Sequence, residues 1–82
     1  MLDYKLSSTA TNLKLGKYKH YKGHTVIVYG VANHSETLEE LVVYRHIEDT
    51  ESHFWIRPLQ MFLETVTVNG KVIPRFAFVS EK

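Results

Sequence analysis

His34-Ser35-Glu36 sets an imidazole, a hydroxyl and a carboxylate side by side in one polar stretch. These are the groups from which a base, a nucleophile and an orienting acid are made. Adjacent residues rarely converge on one point, however, and triads draw their members from distant segments. The plain role for Ser35 and Glu36 is to satisfy backbone N–H groups of their own turn. A middle role has His34 and Ser35 contacting a ligand through hydrogen bonds. Trp55 and Arg57 form a second constellation. Strand alternation puts them on one face about 7 Å apart, opposite Phe54 and Ile56. An indole and a guanidinium so placed can stack on a planar ligand and grip a carboxylate or phosphate. The structural alternative has Trp55 capping the core and Arg57 paired with Glu36, Glu40 or Glu64.

Tyr18, Tyr21, Tyr29, Tyr44 and Trp55 are a third set. Aromatics beside a polar loop can bind peptides, methylated side chains or single strands, and they are also what a small core is built from. Lys14, Lys17, Lys19 and Lys22 lie near Tyr18 and Tyr21, where lysines commonly protect a strand edge. There are five histidines. His20 and His24 flank Lys22-Gly23, and His46 and His53 flank an acidic turn, so each hairpin could bring two imidazoles together. Without cysteine and without a third ligand at a recognisable spacing, no dedicated metal centre follows. Zn²⁺ held adventitiously at the second hairpin is the most this pattern allows. No Gly-rich phosphate loop, G-x-S-x-G elbow or H-E-x-x-H pair occurs, so no cofactor is expected.

These groups must be positioned by a single domain, because the chain has 82 residues and chains divide well above this length. Ten Lys and Arg against nine Asp and Glu leave a net charge of +1. A general phosphate-backbone binder is normally more basic, and nucleic acid is not an expected partner. The apolar run Leu41-Val42-Val43-Tyr44 is far short of the ~20 residues that cross a bilayer. The first fifteen residues lack the pattern of a signal peptide. With no cysteine, a reducing cytoplasm is the expected setting.

Residues 1–14, rich in Ser, Thr and Asn, read as a weakly ordered arm or, alternatively, as an extension pairing on the sheet. Residues 15–82 read as the folded domain. Tyr18–Tyr21 and Thr25–Tyr29 flank the Lys22-Gly23 turn as a hairpin. Gly30 then marks a bulge or bend. Thr37-x-x-Glu40 fits a capping box, but Leu41-Val42-Val43-Tyr44 follows at once and favours a strand, so residues 33–40 form a loop or single turn. Glu48-Asp49-Thr50-Glu51-Ser52 is an acidic hairpin end. His53–Arg57 is a strand closed by Pro58, and Leu59–Glu64 forms a short helical turn after the proline. Thr65–Val68 alternates into Asn69-Gly70, a type I′ signal, and Lys71–Val79 returns as the last strand, with Pro74 at an edge or bulge. The expectation is an all-β fold, a small SH3-like barrel or roll of about six short antiparallel strands with one helical turn after Pro58.

Three stretches resemble a known family. They are Gly16-x-Tyr18-x-His20-Tyr21-Lys22-Gly23, then Gly30-Val31-Ala32-x-His34-Ser35-Glu36-Thr37-Leu38-Glu39-x-Leu41-Val42-Val43-Tyr44, then Trp55-x-Arg57-Pro58-Leu59-x-Met61-Phe62-x-Glu64. In order, from Gly16 to about Phe76, they are similar to a bacterial family catalogued as domain of unknown function 1653, whose members look like SH3-type barrels. The resemblance implies a fold and supplies no activity, because small barrels host many unrelated ones. The acidic turn at residues 48–52 and the N-terminal arm depart from the family pattern.

The functional expectation is therefore a non-enzymatic binding module. Its groove would be formed by His34, Ser35, Glu36, Tyr44, Trp55 and Arg57 and would take a small anionic, nucleotide-like or peptide ligand, with no metal and no membrane. A monomer or weak homodimer is expected. The alternatives are an interaction domain that pairs through a sheet edge, and an enzyme with His34 as general base and Arg57 as electrostatic stabiliser.

Overall fold

A computed structural model describes residues 5–49 and 53–81. The order of elements is α1 (Ser8–Thr11), β1 (Gly16–His20), β2 (Thr25–Asn33), β3 (Glu40–His46), β4 (Trp55–Pro58), α2 (Leu59–Phe62), β5 (Thr65–Val68), β6 (Lys71–Pro74) and β7 (Phe76–Ser80). Five strands form one antiparallel sheet in the order β4-β3-β2-β1-β7, and β5-β6 form a separate hairpin. No described helix is long and apolar enough to cross a membrane.

The fold is all-β as expected, with seven strands in place of about six. The extra strand comes from Lys71–Val79, which is two strands in different sheets. Pro74 ends β6 opposite Thr65, and Arg75 leaves the hairpin there. Its N–H donates to the Glu64 carbonyl, while its own carbonyl accepts from the Tyr21 N–H. Asn69 and Gly70 both have positive φ, 52° and 79°, as a type I′ turn requires. Pro58 ends an edge strand, where its missing N–H leaves no gap in a central ladder.

Register decides which side chains face inward. Tyr18 opposes Val26 and Phe78, His20 opposes Phe76, Val28 opposes Tyr44, Val26 opposes His46, and Trp55 and Arg57 oppose Tyr44 and Val42. Directly opposed residues share a face, so all of these lie on one side of the sheet. That side holds the core of Tyr18, Val26, Val28, Val42, Tyr44, Leu59, Phe62 and Phe76. Between Val28 and Gly30 the register slips. The extra residue, Tyr29, reverses the parity of β2, so that Val31 pairs with Val42 and packs on the core.

The two edge strands, β4 and β7, are not hydrogen-bonded to each other. Side chains bring them together instead. The Arg57 guanidinium lies 5.6 Å from the centre of the Phe76 ring. Phe62, in the helix directly after β4, stacks on that ring with centroids 4.3 Å apart. The sheet is therefore curled into a roll and is not a closed barrel.

Within the segment expected as an arm, residues 7–12 pack on the domain. Ser7 caps α1 by accepting from the Ala10 N–H, and it donates its own N–H and hydroxyl to the Glu40 carboxylate, each at 2.7 Å. Ala10 is buried in the core. A small residue held one turn beyond a capped serine suffices to anchor the segment. Residues 1–4 of the expected arm lie outside the described residues, as do residues 50–52 of the acidic turn.

Gly16 opens β1 with φ +132°, and a Cβ there would run into the Ser80 carbonyl oxygen and the Glu81 backbone. Both the backbone angle and the space demand glycine. Gly16→Ala should cost about 2–4 kcal/mol and lower the thermal midpoint by roughly 10–20 °C, as read by circular dichroism.

Candidate functional site

Tyr44, Trp55 and Arg57 share the inner face, and His34, Ser35 and Glu36 lie apart from them. The last three sit in the exposed loop between β2 and β3. There the His34 Nδ1 accepts the N–H groups of Glu36 (3.0 Å) and Thr37 (3.3 Å). The His34 backbone bonds Glu39 and Leu38, and Leu38 takes φ 64°. The imidazole thus does the turn-closing work usually given to Asn or Asp. Its Nδ1 lone pair serves the loop and is not available as a base. Because His34 lies level with Glu39, and Arg57 with Val42 two strands away, the backbones of His34 and Arg57 are roughly 14 Å apart.

Arg57 has no hydrogen bond or ion pair among the described residues, and its Nε is buried without a partner. The carboxylates proposed for it from sequence are otherwise placed. Glu64 binds Arg75 at 2.6 Å, Glu40 binds Ser7, and Glu36 stays in the exposed loop. The Nε atoms of Arg45 and Arg75 are also buried without partners, but both of those guanidiniums are bonded through their other nitrogens. The Phe76 face supports the Arg57 cation from one side, an attraction of about 1–2 kcal/mol when partly desolvated. Tyr44, across the ladder from Trp55, is 5% exposed, and its hydroxyl has no hydrogen-bond partner among the described residues. Tyr18, by contrast, donates to the Lys14 carbonyl.

The sheet also assembles what the sequence treats as separate, a row of imidazoles. His20 and His24 stack at 4.4 Å with planes 10° apart. His24 meets His46 at 5.0 Å. His46 meets Trp55 edge to face at 5.8 Å, and His53 reaches the same indole at 5.3 Å while pairing with Asp49. The first hairpin brings its two histidines together as expected, and the second does not bring His46 and His53 into contact. The Lys22-Gly23 turn stacks one pair, pairing of β2 with β3 brings His46 to it, and Trp55 stands between His46 and His53. Among the described residues no cluster of three His, Cys, Asp or Glu is arranged to hold a metal ion. Strand parity in the sequence puts His46 with Tyr44 and His20 with Tyr18, the signal from which the row could have been found once strand order was known.

His20 is buried, and its Nδ1 accepts the Lys22 N–H at 3.1 Å, which leaves the proton of the neutral ring on Nε2. Burial lowers its pKa, and the neighbouring His24, Arg75, Arg57 and Lys22 charges push it the same way. A groove of about 490 Å³ lies elsewhere, lined by Ser7, Glu39, Glu40, Pro58 and Met61 among others, and by none of Tyr44, Trp55 or Arg57.

A histidine held neutral in the fold takes up a proton more readily when unfolded, so stability is full above the ordinary imidazole pKa near 6.5 and falls as pH drops below it. Thermal midpoints measured from pH 7.5 to 5.5 should fall with acid. The fall should be smaller in His20→Asn, whose side-chain oxygen keeps an acceptor for the Lys22 N–H.

Comparison with known proteins bears on fold and ancestry. Residues 16–78 match the model of a protein family of unknown function, DUF1653. A crystal structure of a protein belonging to DUF1653 from Bordetella bronchiseptica is similar at 34% identity with a TM-score of 0.77, covering 85% of this chain and 91% of that one. No curated protein matches. The matched span runs from the start of β1 into β7 and takes in both ends of the Arg57–Phe76 contact, and the chain belongs to the DUF1653 family.

Proposed function

We propose that this domain is a non-enzymatic binding module for a small anion carrying a carboxylate or phosphate, and that Arg57 is the group that receives it. One observation carries the reading: a half-buried guanidinium with no anionic partner among the described residues, 5.6 Å over the centre of the Phe76 ring. Partly burying an unpaired charge costs free energy, and an arriving anion would recover it through charge-assisted hydrogen bonds. His20 supports the same reading, because an Nε2–H donor lies within the field of Arg57 and Arg75. The net charge of +1 fits a local site better than a general basic surface. The reducing cytoplasm that suits a cysteine-free chain is the proposed setting.

The test is calorimetric titration with inorganic phosphate and with acetate at low ionic strength, on wild type and on Arg57→Met, which keeps an apolar stem against Phe76. Wild type should bind phosphate, and the variant should lose about tenfold or more of that affinity. Equal phosphate affinity in both proteins, or no anion binding by wild type, would overturn the proposal.

A second reading, association through a sheet edge, is favoured by the outward face of β4. There Ile56 is 60% exposed, with Phe54 just before the strand at 59%, beside a ladder edge that pairs with no described strand. If this edge self-associates, sedimentation of wild type should show a concentration-dependent dimer that Ile56→Lys disperses. A wild type that stays monomeric throughout would remove this reading.

A further inference from the structure

Trp55 is the chain's single tryptophan. It occupies the inner face of the sheet, where its ladder partner Tyr44 is buried, yet it is 46% exposed. Its position is fixed by other rings. His46 meets it at 86° and His53 at 56°, and His53 is itself held by Asp49 at 3.5 Å. Neither imidazole lies parallel to the indole, so neither takes the place of a ring stacking flat on it. Arg57 stands two residues along the same strand face, about 7 Å away, a spacing that a pentose spans between a base and its phosphate.

Resting on the reading of Arg57 as an anion site, we propose that the anion is the acidic end of a planar aromatic compound of the nucleoside monophosphate class, with its base on Trp55 and its phosphate on Arg57. The charged groups that act on buried His20 are few, namely Arg57, Arg75 before β7, and His24 and Lys22 at the β1–β2 turn. This concentration suits one phosphate group, whereas a strand of nucleic acid is tracked by an extended basic groove. Tyr44, opposite Trp55 in the ladder, supplies a hydroxyl that no described residue satisfies and that a sugar or base edge can use. The rigid indole raises the return from stacking, because little side-chain freedom remains to be lost on binding.

The single tryptophan makes stacking directly visible. Wild type, Arg57→Met, Trp55→Leu and Trp55→Phe are titrated with AMP, ribose 5-phosphate, adenosine and inorganic phosphate, following indole fluorescence where Trp55 is present and heat in all four. AMP should quench the fluorescence and bind about tenfold more tightly than ribose 5-phosphate. In Trp55→Leu that advantage should vanish while phosphate affinity stays as in wild type, and Trp55→Phe should restore part of it. If wild type binds AMP and ribose 5-phosphate equally, or if the advantage survives in Trp55→Leu, the aromatic subsite is wrong while the anion site stands. If neither AMP nor phosphate binds, the Arg57 reading falls and this one falls with it.

Discussion

Phe62 lies on Phe76 with ring centres 4.3 Å apart and planes within 8°, and the rest of the molecule is arranged around that contact. Phe62 is 1% exposed. It sits in the single turn of helix after β4, while Phe76 opens β7, so the stack joins two segments at opposite ends of the sheet order. Tyr18 and Tyr44 lean on the same pair at 5.2 to 6.0 Å. A five-stranded sheet of this size has too little surface to bury itself when flat. Curling it onto one aromatic cluster turns its inner face into a core.

The same curl makes the candidate site. Arg57 reaches Phe76 only because the edges approach, and no described carboxylate pairs with its guanidinium, Glu64 being bound to Arg75. Arg75 in turn owes its position to Pro74, where the chain leaves the β5–β6 hairpin. The histidines extend this pattern. Their row follows from β1, β2 and β3 lying side by side with their inward residues in phase.

Local rules written in the sequence proved legible where the cause is local. Asn69-Gly70 demanded positive φ at two positions and found it, and Gly30 adjoined a slip in register. Pro58 led into a helical turn. Alternation placed Trp55 and Arg57 on one face, where the ladder also puts them. The strand from Lys71 to Val79 was misread because a proline at a bulge and a proline at a change of sheet look alike until the partner strands are known. His34 drew attention by its company, a serine and a glutamate, but its ring closes its own loop. His20 and His46 looked ordinary because their neighbours come from other strands. Parity within a strand is local information, whereas adjacency between strands is not.

The unpaired seam between β4 and β7 has a mechanical consequence. In a closed barrel, circumference is fixed by hydrogen bonds, and widening the lumen breaks some of them. Here no ladder bond joins β4 to β7, and side chains such as Arg57 and Phe76 meet across the seam. A small change in sheet coiling alters that seam while every ladder bond stays intact. The width of the seam between β4 and β7 is thus a property of side-chain packing and not of the hydrogen-bonded ladder.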